Sequence, residues 1–223
     1  MAASGLVLVG FVIMHLLGNL LVFVGQDALN AYAEKLRHLG PMLWAARLFL
    51  LAAVTVHIVT SIQLAHENAA ARPQRYAVHR TAEATFAGRT MMLSGVLLLV
   101  YIGYHLLHFT FHIAHPDLTG YTDDAGRRSV YAMVVLSFQE WPIVLAYIMG
   151  MAALCLHLSH GIASSAQTLG VNSEHTMRTF AWIGRALAFL LFVGYTSIPV
   201  AVLLGVVGQD LIVTRTSAAL GPP

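Results

Sequence analysis

Five apolar stretches, each about as long as a bilayer crossing, govern what this chain can become. They cover residues 5–24, 42–65, 91–114, 141–166 and 180–207, and about 20 apolar residues wound as a helix span the hydrocarbon. Lipid offers backbone groups no partners, so only helices and closed barrels cross it. Runs this long, without a period of two, are expected to be helical. With 58% hydrophobic and 10% charged residues over 223 positions, the chain reads as one membrane domain of five spans and short loops, with no room for a soluble catalytic domain.

Each of the first four stretches holds a histidine deep within it: His15, His57, His105 and His157. An imidazole without a partner is costly in hydrocarbon. Counted at about 1.5 Å per residue, His57 and His157 lie roughly 14–15 Å from one set of helix ends. His15 and His105 lie about 15 Å from the opposite ends, which predicts two levels roughly 10 Å apart. Facing helical histidines at one depth are what axial ligation of a haem iron requires. The fold class expected is therefore an all-α integral membrane protein, a five-helix bundle with two haem b groups between its helices. His57 and His157 would ligate a proximal haem, and His15 and His105 a distal one. With both axial positions filled, such iron passes electrons rather than binding oxygen.

Other residues compete for roles around these sites. In the run His105, His108, His112 and His115, His108 projects about 60° away from His105 and is its rival as ligand. His112 returns towards the His105 face, where it would line the outer end of the distal pocket or bond a backbone carbonyl. His160 is the rival of His157, and His115 reads as interfacial. His38, His66, His79 and His175 fall in loops or at helix ends, where solvation is the ordinary state. Gly161, one turn after His157, is the best placed small residue for haem contact; Gly18, Gly95, Gly103 and Gly150 read first as helix-packing positions. Arg47 and Arg89 are the candidates for haem propionates, with snorkelling to the headgroups as the alternative account. Glu34 and Glu140 sit where a quinone site would need a proton-exchanging carboxylate, and a solvated interfacial role suits them equally. Cys155, the single cysteine, excludes an internal disulfide or a cysteine-held cluster. No internal repeat is expected.

Arg72, Arg75, Arg80 and Arg89 mark the second loop as cytoplasmic. That places the N-terminus and the fourth loop on the same side of a plasma (inner) membrane, with residues 25–40 and the C-terminus outside. The first stretch lacks a basic leader and contains His15 and Asn19, so it is expected to be a retained span rather than a signal peptide. The net charge of +2 comes mostly from loop arginines and gives no case for a nucleic-acid partner. Residues 129–138 read as an extension of the fourth span or a short interfacial piece.

Four segments carry a resemblance across nearly the whole chain: Met14-His15-Leu16-Leu17-Gly18-Asn19, Val56-His57-Ile58-Val59, Ser94-Gly95 followed by His105-Leu106, and His157-Leu158-Ser159-His160-Gly161 followed by Leu169-Gly170. In order, spacing and placement these resemble the five-helix, two-haem cytochrome b anchor of the succinate dehydrogenase and fumarate reductase family. The resemblance implies that the four histidines are haem ligands. It also implies flavoprotein and iron–sulfur partner subunits, membrane menaquinone as electron acceptor or donor, and a possible higher oligomer of the complex. Electrons would run between the partner's iron–sulfur cluster and quinone. The alternatives are the cytochrome b subunit of a hydrogenase or formate dehydrogenase and, fitting less well, a membrane di-iron hydroxylase.

Overall fold

The computed structural model describes residues 1–71, 86–118, 120–209 and 211. Among these the chain is helical, with a single antiparallel bridge, Thr122 to Arg128, in a loop. Helices α1 (Ala2–Asn19, drawn out as a 3-10 turn over Leu20–Phe23), α2 (Gln26–His38), α3 (Pro41–Ala70), α4 (Phe86–Arg89) and α5 (Met91–His105) make up the first half. The second half holds α6 (Val130–Phe138), α7 (Trp141–Thr168) and α8 (Glu174–Leu203). Five of these segments are long and apolar enough to cross a membrane: Ala2–Phe23, Pro41–Ala70, Met91–Thr110, Trp141–Thr168 and Glu174–Leu203. The chain is thus a multi-pass helical membrane protein.

Local chemistry sets the borders. Gly25 and Gly40 take φ of 126° and 51°, values open to glycine at little cost, and so turn the chain into and out of α2. Pro41 and Pro142 occupy the first turns of α3 and α7, where a missing N–H costs nothing. Ser129 caps α6 by accepting a hydrogen bond from Ala132 N, and Ser173 caps α8 by accepting from Thr176 N. The third span ends early. After His105 the helix widens into a π turn over Leu106–Thr110, with Phe111 N donating to Leu106 O at 2.8 Å.

Two segments differ from the sequence expectation. Residues 26–38, read as loop, form a surface helix with Asp27 in its first turn and Lys35, Arg37 and His38 in its last, a distribution that suits the helix dipole. Residues 130–138 do not extend the fourth span. They form a separate helix whose residues from Ala132 to Phe138 are all buried. Helix α6 is a plug, and Val134, Val135 and Phe138 pack with Val22, Leu29, Val144, Tyr147 and Val202 into the larger of two cores. The smaller core joins Leu16, Leu158, Ala188 and Leu191.

Helix α7 packs along α8, and α1 joins both; Tyr101, Tyr104 and Phe109 of the third span pack against the larger core. Helix α3 stands apart: none of its residues is buried, and its main neighbour is α1. Helix α5 leans on α7. Neither α1 with α5 nor α3 with α7 packs extensively, and those are the two helix pairs that carry the facing histidines.

Candidate functional site

The imidazoles bridge these two gaps. The rings of His15 on α1 and His105 on α5 face each other at 5.9 Å between centroids. Those of His57 on α3 and His157 on α7 stand 6.2 Å apart. Imidazole nitrogens bind metals at about 2.0–2.1 Å, so two rings gripping one metal from opposite sides have centroids about 6 Å apart. The donor set and its spacing fit an axial pair at each level.

The two levels follow from glycines. A Cβ on Gly5 would lie 3.3 Å from His57 Cε1, and one on Gly95 would lie 3.5 Å from His157 Cε1, so both glycines sit against the His57–His157 pair. Gly5 precedes His15, and Gly95 precedes His105, by ten residues on the same helix, which is about 15 Å of axial rise. The pattern is also an internal repeat that was not expected: Ser4-Gly5 with His15, and Ser94-Gly95 with His105. Helices α1 and α5 each give Ser-Gly to one level and histidine to the other.

The serines of the repeat touch the rings as well. Ser4 Oγ donates to Met1 O and lies 3.4 Å from His57 Nδ1. Ser94 Oγ donates to Met91 O and lies 3.2 Å from His157 Nδ1. His105 Nδ1 lies 3.3 Å from Tyr147 Oη. Three of the four candidate ligands thus have a hydroxyl on Nδ1, the outer contact that fixes ring orientation in metal-bound histidine. His15 stacks on Phe11 with centroids 5.3 Å apart.

Geometry separates His108 and His112 from His105. His108 is 1% exposed and has both nitrogens engaged, Nδ1 with Tyr147 Oη at 3.1 Å and Nε2 with Ser137 Oγ at 3.0 Å. It has no lone pair to spare for a metal. His112 lies beyond the π turn with φ of 57°, so the helical count that returned it to the His105 face does not apply. Its Nε2 is 3.5 Å from Arg128, and burial, then the Arg128 charge, push its pKa below the ordinary value.

Gly161 has open space beside it. Arg47 stacks over the Trp44 ring at 5.0 Å, and Arg89 ends α4 in an exposed position. No described contact joins these three residues to the paired histidines. Arg72, Arg75, Arg80 and His79 lie outside the described residues. Glu34 sits on α2, 3.9 Å from His38 Nε2. Glu140, at the joint between α6 and α7, lines a cavity of about 300 Å³ with His115, Asp117, Leu118, Pro142 and Ile143. His115 connects that cavity inward, its Nε2 3.3 Å from Tyr104 Oη and its ring 4.7 Å from that of His108. Among the described residues, no group of three or more His, Cys, Asp or Glu converges as a metal cage, the arrangement a di-iron centre needs.

Five spans and two facing pairs of imidazoles define the class: a helical membrane protein with paired histidines held at two levels between its helices. No protein-family model, curated protein or solved structure matches the chain.

Proposed function

We infer that the chain is a dihaem cytochrome b, a membrane subunit that joins a soluble redox partner to a membrane quinone. The observation that carries this reading is the pair of imidazole clasps, each at the ring spacing of axial ligation and each set between helices that do not otherwise close on one another. His15 and His105 would hold one haem b, and His57 and His157 the other. Haem held by two imidazoles supplies one-electron transfer. The chain's own part is to fix the ring planes through the hydroxyls on Nδ1 and to keep the site within the apolar bundle.

The likeness of the histidine segments to the succinate dehydrogenase and fumarate reductase anchors supplies the rest of the reading. It makes a flavoprotein and an iron–sulfur protein the partners, menaquinone the lipid-soluble substrate, and the plasma (inner) membrane the location. Glu140 is the better placed of the two carboxylates for proton exchange with quinone, because it borders a cavity that His115 links to the His105 region. Glu34 lies on a surface helix, beside His38.

A dithionite-reduced minus oxidised spectrum of the purified protein, with a haem assay, tests the reading. Low-spin b-type bands at two haems per chain are expected; a colourless preparation from haem-replete cells overturns it. His57→Ala and His157→Ala should each remove one and the same haem, and His15→Ala and His105→Ala the other. Co-purification with flavin and iron–sulfur subunits is expected, whereas a nickel or molybdenum enzyme in their place would move the chain to the hydrogenase or formate dehydrogenase type.

A further inference from the structure

A chain of hydrogen bonds runs from a backbone carbonyl in the plug helix to the candidate ligand His105, and its polarity can be read from one end. Ser137 Oγ lies 2.6 Å from Met133 O. A carbonyl only accepts, so the serine proton is committed there. Ser137 Oγ therefore accepts from the ring nitrogen on its other side, His108 Nε2 at 3.0 Å. A neutral imidazole has one N–H and one bare nitrogen, which leaves His108 Nδ1 bare. The Tyr147 hydroxyl, 3.1 Å away, must donate to it. With its only proton spent, Tyr147 Oη can only accept from His105 Nδ1 at 3.3 Å. His105 is thereby held as the Nδ1–H form, with the Nε2 lone pair bare.

We propose that Tyr147, His108 and Ser137 are positioning residues that set the tautomer and raise the basicity of His105, preparing its Nε2 to ligate iron. The proposal rests on the dihaem reading above. It gives His108, a buried histidine with no ligand role, a specific task, and it explains why a phenol should be shared between two imidazoles deep in the bundle. The serines at the other level follow the same logic. Ser4 and Ser94 each spend their proton on a carbonyl, so each can only accept from the Nδ1–H of His57 or His157. The His105 chain differs in reaching through three side chains to α6, so the plug and the ligand are linked by hydrogen bonds as well as by packing.

An acceptor on Nδ1–H makes an imidazole a stronger donor to its metal, which favours the ferric state. In the whole protein, Tyr147→Phe keeps the ring and removes the acceptor. Both haems should remain bound, and the His15–His105 haem should become easier to reduce. Its ferric-to-ferrous ratio at fixed potential should fall about tenfold, equal to about 59 mV for a one-electron couple, while the other haem does not move. Ser137→Ala should shift the same haem in the same direction by less. A readout independent of haem is ¹⁵N-histidine NMR of the detergent-solubilised wild type, which should show His108 as the neutral Nε2–H tautomer. An unchanged potential in Tyr147→Phe with two haems retained, or an Nδ1–H His108, overturns the proposal. If Tyr147→Phe does not fold, Ser137→Ala and the His108 tautomer decide. Wild-type protein without haem would instead sink the dihaem reading, and the His108 tautomer would still report on the hydrogen-bond chain.

Discussion

His105 and His108 stand three residues apart, and their surroundings assign them opposite work. The ring of one stands 5.9 Å from a second imidazole; the other has both nitrogens consumed by hydroxyls. On the dihaem reading, His108→Gln should therefore keep two haems per chain while lowering stability, because it disturbs buried hydrogen bonds worth about 1–3 kcal/mol when left unmade. His105→Gln should lose one haem. A haem-to-protein ratio on both variants tells the roles apart. Glycines give a second test at this scale. Gly95→Leu would push side-chain atoms beyond the 3.5 Å contact with His157 and should empty that level alone, whereas Gly103→Leu, with open space around it, should leave both haems in place. The four histidines were legible in the sequence because an imidazole in hydrocarbon announces itself. Ser4, Ser94, Ser137 and Tyr147 were not, since each acts on a residue of another helix and nothing local marks it. The spacing of Ser-Gly to histidine, repeated at the first and third spans, was the available signal.

Helix α2 is secured at the element scale by a polar latch. Asn30, 0% exposed, donates to Asp123 Oδ2 and Ser129 Oγ and accepts from Tyr131 N. Arg127 joins Asp123 at 2.8 Å and Asp27 at 2.6 Å. Together they tie α2 to the loop before α6. Asn30→Leu strands several of these groups and should cost about 1–3 kcal/mol, measurable as a lower melting temperature in detergent. Burial acts to raise the Asp123 pKa, but hydrogen bonds from Arg127 N, the Asn30 amide and the Arg127 guanidinium outweigh it and hold the carboxyl below the usual value. A depressed carboxyl stabilises the fold above its unfolded pKa of about 3.9 and loses that contribution as pH falls through the folded value. Hydrogen-exchange protection, corrected for the intrinsic rate at each pH, should accordingly fall in α2 on acidification below about pH 4, ahead of α7 and α8. The long spans were readable from hydropathy to within a few residues at most borders, because length and composition decide them. Helices α2 and α6 were not: the first is too polar to register as a span, and the second is apolar for the core it plugs rather than for lipid.

At the scale of the whole molecule, the cores join α1, α6, α7 and α8, and the histidine pairs bridge α1 to α5 and α3 to α7. Helix α3, with no buried residue, is therefore expected to lean on the His57–His157 level for its place in the bundle. Cysteines introduced on facing positions of α3 and α7 should crosslink in one register in haem-replete protein and in several when His157→Ala removes the clasp. The five-span helical architecture was legible because bilayer thickness dictates the length of a span, whereas how far neighbouring helices slide along one another is not written in hydropathy. The Ser-Gly and histidine repeat bears on that sliding. Because α1 and α5 each contribute to both levels, an axial slip of either one would spoil both centres at once, so filling one centre holds the rods in the register the other needs. On the dihaem reading, haem uptake by the wild-type protein should then be cooperative, the second haem binding more tightly than the first in a titration.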